Sequence, residues 1–179
     1  RTLAGSATTA VVPRGSRRLL QRLAFDTVHE LAAGERARIA AAEIEAVPAW
    51  HPTRRWPRRT DYDALGFLVE RVWFAGDTDL DPAMEELRGR VDVALVPIWG
   101  WGPSLGPGHL DPASAARAVA LVAPEVVVPI HWGTLLPLGT RWRHGEALSA
   151  PAHAFAAQVG RAAPSVRVAT LAVGEALSL

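Results

Sequence analysis

Three apolar runs in this sequence end on a side chain that can bind a metal ion. His51 follows Val47-Pro48-Ala49-Trp50, Asp77 follows Trp73-Phe74-Ala75-Gly76, and His131 follows Val127-Val128-Pro129-Ile130. Each stands where a strand would leave a sheet, and a ligand held at a strand end is held rigidly. Imidazole and carboxylate together are the ligand set of a hydrolytic zinc centre. Each residue also has a plainer reading: a strand-end histidine is often satisfied by backbone, and Asp77 can simply cap a turn. The chain contains no Cys, so thiolate sites and disulfides are excluded and any metal must take nitrogen and oxygen ligands.

Two other constellations invite chemistry. Gly102-Pro103-Ser104-Leu105-Gly106 fits a G-x-S-x-G pattern, with Asp111 and His131 following in the order of an α/β-hydrolase triad. A nucleophile elbow needs a strand running into the Ser and a helix directly after it. Here the preceding strand ends near Ile98, the next helix begins near Ala113, and Asp111 is placed to cap that helix. The arginines Arg54, Arg55, Arg58 and Arg59, with Arg141 and Arg143, lie among loop tryptophans and could hold anions or stack on bases. The formal net charge is only +1, which argues against a dedicated nucleic-acid binder and leaves a small anionic substrate as the expected partner. All 19 basic residues are Arg, so a phosphate-loop lysine, a Schiff-base lysine and a Ser–Lys dyad are excluded.

The elements that must carry these residues read as α/β layers. At 179 residues, 49% of them apolar, the chain is expected to form a single domain over 1–179 with a sizeable core. Ala7 to Pro13 reads as a strand, Arg14 to Leu23 as a helix with Leu19, Leu20 and Leu23 on one face, and Ala37 to Val47 as a strand or hairpin. Pro48 to Asp63 is a long loop of the kind that often carries function. Leu65 to Val69 and Arg71 to Ala75 form a pair of strands. Asp81-Pro82 and Asp111-Pro112 each place an N-cap before a first-turn proline, opening helices toward Leu87 and over Ala113 to Val122. Val91 to Ile98 and Val126 to Ile130 are buried strands, followed by a helix near Ala152 to Ala162 and a strand over Val166 to Leu171. The longest apolar stretch, Ala113 to Ile130, is broken by Arg117, Pro124 and Glu125 and cannot span a bilayer. With no visible targeting segment, a cytoplasmic location is expected; oligomeric state is not legible.

Four blocks taken in order resemble the metallo-β-lactamase-fold hydrolases: Phe74-Ala75-Gly76-Asp77-Thr78, Val91 to Pro97, Gly108-His109-Leu110-Asp111-Pro112, and Pro129-Ile130-His131-Trp132-Gly133-Thr134. They are most similar to the branch of ascorbate-phosphate lactonase-like proteins and N-acyl-phosphatidylethanolamine-hydrolysing phospholipase D. The resemblance implies an α/β fold, an αββα sandwich of which this chain is the C-terminal portion, with two metal ions at one edge, zinc by expectation and manganese or iron as alternatives. It implies that His51 ligates the first metal, Asp77 bridges both, His131 ligates the second, and His109 contacts substrate or leaving group. The activity implied is hydrolysis of an ester, lactone or phosphodiester through a metal-activated hydroxide. The alternatives are a metal-free interaction module on the same fold and a nuclease of the superfamily.

One feature of the family is missing. Its His-x-His-x-Asp-His signature has no counterpart, since no two of His29, His51, His109, His131, His144 and His153 are two residues apart. In the family that motif precedes a segment like Thr2 to Pro13, so an N-terminally incomplete domain is expected. The chain alone is then expected to hold an incomplete site with little activity, and to expose an apolar edge or face.

Overall fold

The computed structural model describes residues 8–52, 54, 55, 58, 59, 62–100, 105–134, 139, 142 and 145–178. Among the described residues the strands are β1 (Thr9–Pro13), β2 (Thr27–Leu31), β3 (Arg36–Ile39), β4 (Ala42–Pro48), β5 (Arg54–Arg55), β6 (Arg58–Arg59), β7 (Leu65–Val69), β8 (Val72–Phe74), β9 (Val93–Pro97), β10 (Val126–Ile130) and β11 (Arg167–Val168). Among the described residues, the longer α-helices are α1 (Pro112–Val122) and α2 (Ala150–Ala162). Seven strands make one mixed sheet in the order β11-β10-β9-β8-β7-β4-β3, beside a parallel β1-β2 pair and a small β5-β6 hairpin.

Strand direction is what builds the site. β4 runs antiparallel to β7, and β7 antiparallel to β8, so β4 and β8 point the same way. β8, β9 and β10 are parallel neighbours. The C-terminal ends of β4, β8, β9 and β10 therefore leave the sheet at one edge, and the segments bearing His51, Asp77, Gly100 and His131 emerge there together. In open α/β sheets that edge is where ligands bind.

The core lies between one face of this sheet and the two helices. Leu68, Trp73, Ala94, Val96 and Val127 pack there against Val119, Val122, Phe155 and Val159. The buried face of α1 is made of Ser114, Ala115, Ala116, Ala118, Val119 and Val122, small enough to let α2 approach closely. Asp111 caps α1: its carboxylate accepts from Ser114 N at 2.7 Å, and the Ser114 hydroxyl accepts from Asp111 N at 2.9 Å. That reciprocal pair satisfies two amides the helix cannot satisfy itself.

The opposite sheet face carries the cross-strand row Ala46, Phe67, Phe74, Leu95 and Val128. At one end, Leu31 and Val11 cover it; at the other, Ala169, Leu171 and Leu177 do. Between them Phe74 is 44% exposed and Val72 36%. The uncovered apolar face expected from the sequence is present, in the middle of the sheet rather than at its edge.

Several elements differ from expectation. Arg14 to Leu23 forms only a four-residue 3₁₀ turn, Arg17–Leu20. Gly15 takes φ +85° and the Ser16 hydroxyl donates to Pro13 O at 2.5 Å, so the chain is tied into a turn before a helix can start. Leu19 and Leu23 are left exposed, with no core to draw a helix against. The Asp81-capped segment, Pro82–Leu87, is likewise 3₁₀, although Asp81 does accept from Ala83 N at 2.9 Å. Within the 48–63 loop, β5 and β6 pair. The last strand is two residues long where the sequence suggests six. No helix among the described residues is long and apolar enough to cross a membrane.

Candidate metal centre

Four chemically capable side chains meet at the shared sheet edge in two pairs. Asp77 follows β8 and His131 follows β10; His131 Nε2 lies 3.5 Å from Asp77 Oδ1. His51 follows β4, and its Nε2 lies 3.4 Å from the Nε2 of His109, in the loop before α1. Those two rings meet edge to face, with centroids 4.9 Å apart. His109 and His131 both flank Gly100: a Cβ there would stand 3.8 Å from the His109 ring and 3.9 Å from the His131 ring. Beside them is a cavity of about 250 Å³ bounded by Gly100, His131, Trp132 and Thr134.

Backbone orients the rings. His131 takes φ +60°, a left-handed conformation that His tolerates better than most residues, and its Nδ1 donates to Trp99 O at 2.8 Å. A carbonyl accepts only from a protonated nitrogen, so this bond puts a proton on Nδ1 and turns Nε2 toward Asp77, the ring nitrogen that a metal ion would take. Trp132 Nε1 donates to Pro129 O at 3.0 Å, anchoring the next residue to the strand. Asp77 is about half exposed, as its acceptor oxygens require if they are to reach a ligand.

The residues present fit a metal ion in part. Two donors on one tetrahedral zinc, each about 2.0–2.1 Å from it, lie about 3.4 Å apart. The Asp77–His131 separation matches that edge. The two Nε2 atoms of His51 and His109 face each other at a similar distance, and His109 Nδ1 is buried with no partner among the described atoms. No group of three His, Asp or Glu side chains among the described residues is close enough to hold an ion by itself. Among the described residues the capable side chains therefore meet as two pairs, Asp77 with His131 and His51 with His109.

The serine motif does not assemble. Gly102, Pro103 and Ser104 lie outside the described residues, as do Trp56, Arg141 and Arg143. The two partners the triad would need are committed elsewhere, Asp111 to the α1 cap and His131 to Trp99 and Asp77. Sequence reasoning missed Thr78 and Asp79, which tie the site loops together, and it reached His109 only through resemblance. A polar Thr-Asp pair directly after a strand end is a turn signal, and nothing local marks Thr78 as 1% exposed.

The mixed sheet with helices packed on one face is the architecture of the metallo-β-lactamase fold. The sequence profile of the beta-lactamase superfamily domain matches residues 1–132, and the chain belongs to that family. It is 36% identical over 110 residues to a UPF0173 protein of Pyrococcus furiosus, covering 60% of this chain and 46% of that one. It is 33% identical over 147 residues to a UPF0173 metal-dependent hydrolase of Methanopyrus kandleri, covering 76% of this chain and 58% of the relative. The chain thus spans about half the length of the curated relatives it matches. Among solved structures, it resembles Igni18, a metallo hydrolase from Ignicoccus hospitalis, with TM-score 0.69 and 24% identity over 92% of this chain and 66% of that one. It also resembles the metallo-beta-lactamase fold protein YhfI of Bacillus subtilis, with TM-score 0.63 and 11% identity over 92% and 64%. The diiron β-hydroxylase CmlA of Streptomyces venezuelae gives TM-score 0.65 at 18% identity over 90% and 38%. At such identities these three establish the fold.

Proposed function

We propose that this chain supplies the C-terminal half of the active site of a metal-dependent hydrolase. The observation that carries the reading is the convergence of β4, β8, β9 and β10 on one edge, bringing Asp77 and His131 to 3.5 Å and His51 and His109 to 3.4 Å. His51 would hold one metal ion, His131 the other, and Asp77 would lie between them. When bound, such ions supply Lewis acidity toward a substrate oxygen and lower the pKa of water. Zinc suits an imidazole and carboxylate set; the kinship with a diiron enzyme's fold keeps iron in view, and manganese shares the ligand preference.

The protein's own contribution is placement. The Trp99 carbonyl holds the His131 ring so that Nε2 faces Asp77. His109 stands between His51 and Gly100, where it can hydrogen-bond a substrate or leaving-group oxygen at the mouth of the cavity. Trp132 forms one apolar wall of that cavity. The arginine-rich strands β5 and β6 follow His51 directly, which favours an anionic ester, lactone or phosphodiester.

Metal analysis tests the reading. The 179-residue chain and a version extended at its N-terminus with a relative's His-x-His-x-Asp-His segment are each purified and assayed for zinc, manganese and iron. The expected result is near-stoichiometric metal and esterase or phosphodiesterase turnover in the extended form, with weak metal and little turnover in the shorter one. An extended form that folds without metal would leave a metal-free interaction module as the function. Salt-dependent RNA or DNA binding would redirect the substrate toward nucleic acid.

A further inference from the structure

We propose that Thr78 and Asp79 are positioning residues that hold the His51 and His109 loops in register with Asp77. The inference rests on the reading of these histidines as parts of one site. Asp77 is the first residue of a tripeptide whose next two members bind both loops. The buried Thr78 hydroxyl accepts from Trp50 N at 2.9 Å and donates to Asp79 O at 2.9 Å. Asp79 N donates to Trp50 O at 2.8 Å. The residue before His51 is thereby fixed through both its amide and its carbonyl.

The other loop is tied to the same two residues. Thr78 O accepts from Leu110 N at 3.0 Å. Asp79 Oδ2 accepts from Gly108 N at 3.1 Å, while its Oδ1 accepts from Leu80 N at 2.8 Å. His109 is thus bracketed by bonds at the residue before it and the residue after it. Where the two loops cross, Gly108 sits against Pro52: a Cβ on Gly108 would come 2.1 Å from Pro52 Cδ. Only glycine, at φ +88°, lets the backbones pass this closely. One tripeptide after β8 therefore presents a ligand from its first residue and sets the spacing of two more site residues with the next two. No bond along β4 or α1 could do this, because both histidines lie outside regular structure.

The chemistry of the two side chains suits the task. A hydroxyl that accepts one bond and donates another needs Ser or Thr; Val has the same shape and neither capacity. A carboxylate with both oxygens accepting from backbone amides cannot be matched by Asn, whose single acceptor oxygen leaves one amide unpaired.

The test uses the 179-residue chain and its Thr78→Val, Thr78→Ser and Asp79→Asn variants. The first readout, made without metal, is the nuclear Overhauser contact between the His51 and His109 rings, with far-UV circular dichroism recorded alongside. The second is cobalt(II) affinity by titration. Thr78→Val and Asp79→Asn are expected to lose the ring contact while keeping native dichroism, and to weaken cobalt binding by about tenfold or more, the usual scale for losing a residue that orients a ligand. Thr78→Ser is expected to keep the contact and recover most of the affinity. Retention of the ring contact in both disruptive variants overturns the proposal; if Thr78→Val fails to fold, Asp79→Asn decides alone. Should cobalt bind none of the four proteins, the ring contact alone judges the positioning role, and the metal reading is judged separately on the N-terminally extended form. If cobalt binds all of them equally, the metal reading stands and the positioning role falls.

Discussion

Gly76 is where backbone conformation and site geometry are most tightly coupled, and replacing it by alanine should be costly for two separable reasons. It takes φ +68°, and a Cβ there would stand 2.8 Å from the backbone oxygen of Leu65. The left-handed conformation costs an L-residue about 1–2 kcal/mol. The contact cannot be relieved by a rotamer change, since Leu65 begins β7 and is held in the sheet. Shifting packed backbone by a few tenths of an ångström adds about 1–3 kcal/mol. The expected total is about 2–5 kcal/mol, or a melting temperature lowered by about 4–20 °C for a chain of this size. Gly34 supplies the control. Its φ is +83°, yet nothing lies within 4 Å of its would-be Cβ, so Gly34→Ala should show the conformational cost alone. The assay is thermal and urea unfolding of both variants beside the wild type. The difference between them measures the clash. If Gly76→Ala costs no more than Gly34→Ala, the close approach of β7 to the Asp77 turn is not as described. Because Asp77 follows directly, Gly76→Ala should also weaken cobalt(II) binding, whereas Gly34→Ala should not.

Three further outcomes are expected. Asp111→Ala should cost about 1 kcal/mol through loss of the α1 cap. Burial works to raise the Asp111 carboxyl, but hydrogen bonds from Ser114 and Ala113 outweigh it and leave its pKa lowered; its contribution is then fully present above about pH 3.9 and fades as pH falls through the lowered folded value, so the gap between wild type and variant should close in acid unfolding curves. Gly160→Ala, in the last turns of α2 with nothing within 4 Å, should stabilise by about 0.5–1 kcal/mol in urea titrations, and a loss of stability would contradict the open space there. Asp77→Asn should leave the metal-free melting temperature nearly unchanged, because the side chain is half exposed, while lowering cobalt(II) affinity at least tenfold; unchanged affinity would remove Asp77 from the ligand set.

Local physics made much of this molecule legible from sequence. The Asp111-Pro112 and Asp81-Pro82 pairs announce their segments because a carboxylate acceptor and a proline without an N–H suit the first turn wherever it occurs. The runs Val91 to Ile98 and Val126 to Ile130 read as buried strands because β-branched residues bounded by turns have few other homes, and strands form there over Val93–Pro97 and Val126–Ile130. His51, Asp77 and His131 stood out because each interrupts such a run at its end. The same local reasoning failed for Arg14 to Leu23, where helical spacing of leucines had no surface to pack against, and the turn at Gly15 prevailed.

What required the tertiary structure was everything that depends on strand order. His51 and His109 are 58 residues apart, and their contact exists only because β4 runs parallel to β8 and the Gly108 loop folds back over Pro52. Thr78 looks like any turn residue until two loops are hung on its hydroxyl and carbonyl. Phe74 and Trp73 are adjacent aromatic residues in one strand, yet one is exposed and the other sealed beneath the helices, because the pleat sends them to opposite faces and the face bearing Phe74 is left open at its middle. Residue type and spacing determined which side chains could bind a metal ion and which segments would be strands. Long-range pairing, whose energy is shared among residues far apart in the chain, decided that those side chains meet at one edge and in which pairs.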